Sequence, residues 1–303
     1  MKTTAVRLGP ATLATPLVAA SGTVGSIHEF ADVADLTAYG AVTAKSVAPT
    51  PWPGNPPPRL APAGDGMLNA IGIQNPGIDE WLARIAPRLT DLPTAVWGSA
   101  VAHDAAGFGR VAAGLERGGV AAIEVNLSCP NLAEGEIFAL DPRASARAVA
   151  AVVAAVDLPV GAKLSPDASD VVAVAEAVLD AGADWLVLTN TARGAGFDVA
   201  TRRPLLASVT GGYSGPPLKP IALRCVVDVA KAFPEVPIVG CGGVRSGDDV
   251  IEYLLAGAHA VAVGTAHFVD PRIGATILAE VRRFMSRHRV DTVADLVGAW
   301  EPW

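Results

Sequence analysis

The stretch AVAVGT, residues 260 to 265, decides between two folds for this chain. It is the last of eight short apolar runs that end in polar or glycine residues, and Ala-rich stretches of helical character separate these runs. A doubly wound sheet needs no eighth strand and normally has a glycine-rich turn after its first strand. Eight strand and helix units of this spacing therefore predict an α/β fold, the (β/α)8 TIM barrel.

The eight runs have the composition of strands that are buried on both faces and open into a loop at the carboxyl end. They cover residues 16–21, 41–46, 94–99, 121–128, 159–165, 185–190, 237–243 and 260–265. Between them, residues 168–184 and 246–260 are amphipathic, and the second stretch has acidic residues in its first turn. We expect one barrel domain over residues 1–303.

Two connections are too long for plain loops. Residues 49–62 contain seven of the 24 prolines and lead into residues 64–77, and the loop after Cys129 is polar to about Asp141. Both follow carboxyl ends of strands, where barrel enzymes build their sites, so we expect long loops on that face. For residues 49–62 alone, a stiff connection without a role in binding is the favoured interpretation.

Composition excludes several classes of protein. Thirty acidic and 23 basic residues give a net charge of -7, which argues against a nucleic-acid partner. No uncharged apolar run reaches the roughly 18 residues of a membrane span, and the start lacks the pattern of a secretory signal. The three cysteines are unevenly spaced without a CxxC pair, so they predict no disulfide framework and no zinc or iron-sulfur site. A cytoplasmic protein without a bound metal or a membrane segment is expected.

In a barrel, polar residues at the carboxyl ends of strands point at one central cavity. The candidates are Ser21, Lys45, Ser99, Asn126, Cys129, Lys163, Asn190, Gly242, Gly243, Gly264 and Thr265. The last two strands end in GCGGVRSGDD and VGTAHF, in the loops where this fold usually binds phosphate through backbone N–H groups. The sequence therefore predicts a ligand that carries a phosphate.

Side-chain chemistry narrows the ligand further. Lys45 and Lys163 suit a flat, electron-accepting cofactor with a carbonyl-rich ring, although salt bridges would be the alternative role for both. Asn69, Asn126 and Asn190 can hold the edges of a planar amide. Cys129 precedes a proline in a loop, where a thiol can act as nucleophile or general base. No histidine is placed to pair with it, and Cys225 and Cys241 are interpreted as core thiols.

Nine segments together resemble the dihydroorotate dehydrogenase family over nearly the whole chain. They are ASG (20–22), GNPPPR (54–59), GMLNAIGIQNPG (66–77), NLSCPN (126–131), KLSP (163–166), TNT (189–191), GGYSGPPLKP (211–220), GCGGV (240–244) and VGTA (263–266). The cysteine in the loop after the fourth strand is similar to class 1 of the family. The segments at 66–77 and 210–220 are most similar to the class 1B, NAD-linked catalytic subunit.

The resemblance implies an enzyme of pyrimidine biosynthesis that oxidises (S)-dihydroorotate to orotate. Cys129 would remove a proton from C5, and the hydride at C6 would pass to N5 of one non-covalently bound FMN. The substrate-binding residues would be Lys45, Asn69, Asn126, Asn190 and Thr191. The FMN-binding residues would be Ser21, Lys45, Ser99, Asn126, Lys163, Gly215, Gly242, Gly243, Gly264 and Thr265. Ser99 departs from the pattern, because the family usually has asparagine there.

The class 1B resemblance also implies a second subunit that carries FAD and a [2Fe-2S] cluster and passes electrons to NAD. A homodimer of this chain would form the core of the resulting heterotetramer. Three alternatives stay open at this point: a class 1A enzyme that reduces fumarate, another FMN barrel such as a dihydrouridine synthase, and a non-catalytic phosphate-binding barrel. A dihydrouridine synthase would need a basic surface for RNA, which the acidic balance disfavours.

Overall fold

The computed structural model describes residues 3–127 and 138–303. Strands in this part of the chain, in order, are β1 (Val6–Leu8), β2 (Ala11–Leu13), β3 (Leu17–Ala19), β4 (Ala41–Thr43), β5 (Leu60–Ala63), β6 (Gly66–Asn69), β7 (Ala95–Ala100), β8 (Ala122–Asn126), β9 (Val160–Leu164), β10 (Trp185–Leu188), β11 (Ala192–Ala195), β12 (Phe197–Asp198), β13 (Arg203–Pro204), β14 (Thr210–Ser214), β15 (Ile238–Cys241) and β16 (Ala260–Val263).

Eight parallel strands close into a barrel in the order β3, β4, β7, β8, β9, β10, β15 and β16, with β16 pairing back onto β3. Each of the eight apolar runs contains one of these strands, so the prediction of a (β/α)8 barrel is confirmed. The strands are buried on both faces because helices cover the outside and side chains fill the inside. Trp97 and Trp185 lie in this core with ring centroids 5.1 Å apart. Gly161 is required beside them, since a Cβ there would be 2.2 Å from the Trp185 indole nitrogen.

Helices of the described residues are α1 (His28–Ala31), α2 (Ile78–Arg84), α3 (Ala105–Arg117), α4 (Pro142–Val153), α5 (Val171–Asp180), α6 (Lys219–Ala232), α7 (Gly247–Leu255) and α8 (Ile273–His288). The two amphipathic stretches of the sequence contain α5 and α7. Asp170 and Ser246 cap these helices by accepting backbone N–H groups of the first turn. None of the helices in residues 3–127 and 138–303 combines the length and the apolar character that crossing a bilayer requires.

The first long connection contains strands, which differs from the loop that the sequence predicts. β5 and β6 form a hairpin that joins β14 and β11 in a four-stranded antiparallel sheet, in the order β11, β14, β6, β5. Ala63 pairs with Gly66, so Gly64 and Asp65 form a two-residue turn in which Gly64 has φ of +58°. This Gly-Asp pair between two short strands is a recognisable hairpin signal that the sequence interpretation missed. The sheet places β6 and β14 beside the carboxyl ends of the barrel strands.

Candidate active site

A cavity of about 450 Å³ opens at the carboxyl ends of the barrel strands. Its wall combines residues that follow the barrel strands with residues from β6 and β14 of the antiparallel sheet. The residues from the sequence prediction that line it are Ser21, Lys45, Asn69, Asn126, Lys163, Asn190, Thr191, Gly215, Gly242, Gly243, Gly264 and Thr265. Residues from nine separate segments of the chain, seven of them in or after barrel strands, therefore meet in one site.

Three glycines bring the backbone close together at one end of the cavity. Gly215, Gly242 and Gly243 have φ of +100°, +142° and +72°, which favour glycine. A Cβ on Gly243 would lie 2.9 Å from the Gly215 carbonyl oxygen and 2.8 Å from Lys219 Cβ. Tyr253 fixes the turn by donating its hydroxyl to the Gly242 carbonyl oxygen over 2.7 Å. This part of the wall is backbone, the kind of surface that binds phosphate oxygens through N–H groups.

Gly264 supplies a test of whether the cavity fits a cofactor. A Cβ on this residue would meet no atom closer than Ala20 Cβ at 3.6 Å, and its φ is not positive. Packing therefore does not require glycine at this position. The side chain that Gly264 lacks would occupy the cavity itself. Free access to the backbone at Gly264 and Thr265 fits a bound phosphate group, in agreement with the glycine cluster.

Cationic side chains dominate the charge of the cavity. Lys45 and Lys163 line it, and no Asp or Glu stands among the described residues of the wall. Lys163 is 5% exposed and its Nζ lies 4.0 Å from Oε1 of Glu124, which is 2% exposed. Burial acts to lower the pKa of Lys163, but Glu124 and Cys241 outweigh it and raise that pKa above its ordinary value. The cavity is consequently suited to an anionic ligand with carbonyl groups.

Asparagine side chains form the amide-binding part of the wall. Asn190 donates from Nδ2 to Asn126 Oδ1 over 3.4 Å, and Asn190 Oδ1 accepts the Thr191 N–H at 2.8 Å. Asn69, at the end of β6, donates to the Gly212 carbonyl oxygen over 3.2 Å. These bonds fix the orientation of the amides before a ligand arrives. An amide side chain has two donor hydrogens and an acceptor oxygen, so amides placed in this way are chemically suited to the edges of a planar ligand.

Ser99 does not line the cavity, which departs from the prediction that it contacts the cofactor. It is fully buried, and its Oγ lies 2.9 Å from Ser46 Oγ. Ser46 is the residue that reaches the cavity, where it also accepts a hydrogen bond from Asn126 Nδ2 at 3.1 Å and lies 3.4 Å from Ser21 Oγ. The sequence interpretation missed Ser46, although it directly follows Lys45 in the second strand segment.

A buried histidine connects Thr23 of the cavity wall with Tyr39, which lies outside the wall. His267 lies in the helical turn Thr265–Phe268, is 4% exposed, and contacts Thr23 through Nδ1 at 2.9 Å and Tyr39 through Nε2 at 2.8 Å. Thr23 uses its hydroxyl hydrogen to bond the Ala20 carbonyl oxygen at 2.8 Å. Nδ1 of His267 must therefore carry the hydrogen and donate to Thr23.

The other ring nitrogen of His267 then accepts from the Tyr39 hydroxyl, whose oxygen also accepts a backbone hydrogen bond from Gly274. Burial lowers the pKa of His267 to about 4, which agrees with a neutral ring that has one fixed tautomer. The histidines appeared scattered in the sequence, and no local pattern indicates this one, because its partners come from distant segments.

The predictions for the three cysteines differ in how they compare with the structure. Cys129 lies outside the described residues, so its role stays a prediction. Cys225 is buried in α6, as expected for a core thiol. Cys241 is also buried, but it lines the cavity and interacts electrostatically with Lys163. Within the part of the chain that the structure describes, no group of three His, Cys, Asp or Glu side chains is arranged to hold a metal ion.

The fold and the cavity define a class of protein, the (β/α)8 barrel enzymes, whose sites lie above the carboxyl ends of the strands. The family model described as dihydroorotate dehydrogenase matches residues 4–285. The chain belongs to this family.

Curated relatives and a solved structure agree with this assignment. The chain is 46% identical over 288 residues to "Dihydroorotate dehydrogenase B (NAD(+)), catalytic subunit" of Citrifermentans bemidjiense, covering 94% of each chain. It is 42% identical over 298 residues to the protein of the same name in Listeria monocytogenes, covering 98% of each. The structure titled DHODH in complex with ferulenol, from Eimeria tenella, superposes with a TM-score of 0.81 over 97% of this chain and 88% of that chain. At 22% identity, that likeness supports the fold. The resemblance that the sequence motifs indicated is confirmed.

Proposed function

We propose that this chain, acting as one barrel domain, oxidises (S)-dihydroorotate to orotate in pyrimidine biosynthesis, as the name of its relatives indicates for those proteins. One observation carries the proposal: a single cavity brings together a glycine cradle, two lysines and three asparagines, with no carboxylate among its described wall residues. This set suits a phosphate-bearing flavin together with a planar, anionic amide substrate.

The cofactor would be one FMN per chain, bound without a covalent link. Gly215, Gly242, Gly243, Gly264 and Thr265 would bind its phosphate and ribityl end through backbone groups and one hydroxyl. The remaining FMN-binding residues would be Ser21, Lys45, Asn126 and Lys163, with Ser99 acting through Ser46. FMN, when bound, supplies the acceptor for the electrons that leave the substrate.

Substrate binding would use the amides and one lysine. Asn69, Asn126, Asn190 and Thr191 present donors and acceptors to the two amide edges of dihydroorotate, and Lys45 neutralises its carboxylate. Cys129 would remove the proton from C5 through its thiolate. An ordinary cysteine has a pKa of about 8.5, so this step should accelerate as the pH rises toward that value.

Electrons would leave through a partner. The relatives are named catalytic subunits, which supports a second subunit for this chain, carrying FAD and a [2Fe-2S] cluster and reducing NAD. A homodimer of this chain would form the core of a heterotetramer. Next to the main cavity, a second cavity of about 760 Å³ shares Gly215 and Thr265 with it and is bordered by Phe268 and Val269, which are 56% and 89% exposed. Exposed apolar side chains beside the cofactor end suit contact with such a subunit.

The decisive experiment is an anaerobic titration of the purified chain with dihydroorotate while the flavin absorbance is recorded. Bleaching at one equivalent per chain supports the proposal, and a flavin that stays oxidised contradicts it. Steady-state assays of the chain alone then identify the acceptor. Slow turnover with artificial dyes and none with NAD supports a partner subunit. Rapid turnover with fumarate would instead assign the class 1A reaction.

A further inference from the structure

Glu124 lies inside the barrel beneath the cavity. It is on β8 two residues before Asn126, so both side chains point to the same face of the strand, and Asn126 lines the cavity. Asn126 pairs in register with Lys163 of β9. Glu124 itself is not part of the cavity wall, is 2% exposed, and its Oε1 has no hydrogen-bond partner. A carboxylate in such a place is costly unless a cation compensates for it.

Lys163 is the cation that acts against this cost, because burial raises the pKa of Glu124 and Lys163 acts to lower it. Its Nζ lies 4.0 Å from Glu124 Oε1, a distance at which charges attract but a hydrogen bond does not form. The ammonium group also lines the cavity, so it lies between the carboxylate below and the ligand space above. The separation leaves its three N–H donors to other acceptors, including a ligand.

The other ionisable groups around Lys163 are few. Cys241, on β15, interacts with it electrostatically, and burial, together with Glu124, raises the pKa of that thiol. Lys45 also lines the cavity and adds a second positive charge to its wall. Of the two groups that offset the burial of Lys163, Glu124 has the larger effect and Cys241 the smaller.

We propose that Glu124 is a positioning residue for the cofactor site: it keeps Lys163 protonated and held at the floor of the cavity, so that FMN meets a permanent cation there. The proposal rests on the proposed function for the identity of the ligand. The charge attraction between Glu124 and Lys163 is present whether or not FMN is bound. Glu124 acts through Lys163 and touches neither cofactor nor substrate.

The first test compares the dissociation constant of FMN for Glu124→Gln and for the unaltered chain across pH, by flavin fluorescence. The phosphate of FMN titrates in the same way in both measurements, so its effect cancels in the ratio of the two dissociation constants. Glutamine keeps the shape but not the charge, so Lys163 loses its proton at lower pH. We expect the ratio to rise by about tenfold or more between about pH 7 and pH 9.5, the loss of one charge-assisted hydrogen bond. A ratio that stays constant with pH overturns the proposal.

Two controls isolate the pair. Glu176→Gln removes an exposed carboxylate of α5 and should leave the ratio at one across this range. In the background of Lys163→Met, adding Glu124→Gln should produce no pH-dependent change in FMN affinity, because the titrating group is gone. A pH-dependent ratio in that background would assign the effect to another group and overturn the proposal.

The second test uses the protein without FMN, so it does not depend on the proposed function. Its main comparison, Lys163→Met with the unaltered chain, also does not require that the single variant Glu124→Gln folds. Burial raises the pKa of Glu124 even in the unaltered chain, where Lys163 acts to lower it. In Lys163→Met this lowering is lost, so the pKa of Glu124 rises further above the unfolded value. Such a carboxyl group loses stability as the pH rises above that unfolded value. The free energy of unfolding by urea should therefore fall, relative to the unaltered chain, as the pH rises above the folded-state pKa of Glu124 in the unaltered chain. The double variant Lys163→Met with Glu124→Gln should remove this pH dependence. A difference between Lys163→Met and the unaltered chain that is constant with pH overturns the pairing, whereas absence of FMN binding by the unaltered chain would contradict only the proposed function.

Discussion

Ser46 Oγ lies 2.9 Å from Ser99 Oγ, and of the two only Ser46 reaches the cavity. The pair explains how the chain accommodates serine at position 99. A hydroxyl from the preceding barrel strand segment occupies the cavity wall, and Ser99 supports it from behind. Ser46 in turn accepts the Asn126 amide at 3.1 Å, so the two serines help to orient a residue proposed to bind substrate.

This arrangement predicts unequal effects of two alanine variants. Ser46→Ala removes the acceptor for Asn126 and should weaken FMN binding by about tenfold, the value of one or two buried hydrogen bonds. Ser99→Ala leaves the cavity wall intact and should weaken it by less than about threefold. Isothermal titration with FMN measures both. An effect of Ser99→Ala as large as that of Ser46→Ala would show that Ser99 contacts the ligand directly.

The proposed base gives a kinetic prediction. Cys129→Ala should bind FMN with an unchanged absorbance spectrum but reduce it with dihydroorotate about 100- to 10,000-fold more slowly, the usual contribution of a general base. Anaerobic stopped-flow measurement of flavin bleaching gives the rate. Cys225→Ala, in the core of α6, is the matched control and should keep the rate of the unaltered chain. A half-reaction in Cys129→Ala that is as fast as in the control would exclude Cys129 as the base.

Two glycines of the cavity should respond differently to alanine. At Gly264 a Cβ has no neighbour within 3.6 Å, so Gly264→Ala should fold normally and lose FMN affinity. At Gly243, with φ of +72° and a Cβ contact of 2.8 Å to Lys219, alanine should also destabilise the protein by about 1 kcal/mol or more. Urea unfolding without FMN separates the two variants. Equal loss of stability in both would mean that Gly264 is needed for packing.

His267 predicts an acid-dependent loss of stability. Its pKa is lowered by burial from 6.5 to about 4, so the unfolded chain binds a proton more readily than the folded one. The contribution of His267 is complete above pH 6.5 and should decrease by about 3 kcal/mol as the pH falls to about 4. Urea unfolding across this range, compared with His267→Gln, measures the effect. Parallel pH profiles for the two proteins would contradict it.

Tyr39 tests the hydrogen-bond chain through His267. Tyr39→Phe removes the donor to His267 Nε2 and should cost about 1 to 3 kcal/mol, because a buried acceptor loses its partner. Thr37→Val alters an exposed hydroxyl that donates to Asp35, and it serves as the control. Thermal or urea unfolding compares them. A cost for Tyr39→Phe no greater than for the control would show that the hydroxyl bond adds nothing to stability.

The sequence by itself determined the barrel and most of the cavity wall. Strand composition and spacing are local, and a closed parallel barrel brings every carboxyl strand end to one face. Lys45, Asn126 and Lys163 can therefore be assigned to one site from the sequence alone. The glycines at 242 and 243 were recognisable for the same reason. The hairpin of β5 and β6 is also indicated by a local sequence signal, the Gly64-Asp65 turn.

The tertiary structure alone decided which groups stand behind that wall. His267 and Thr23 are 244 residues apart in the chain, and Ser46 and Ser99 are 53 apart. Their contacts arise from the packing of separate units, which no local periodicity encodes. Glu124 is a charged residue in an otherwise apolar strand, two residues before Asn126. Only the pairing of β8 with β9 places Lys163 beside it. Residues that face the ligand follow from the topology of the strands, whereas residues that support them depend on side-chain distances between strands, and these exist only once the barrel has closed.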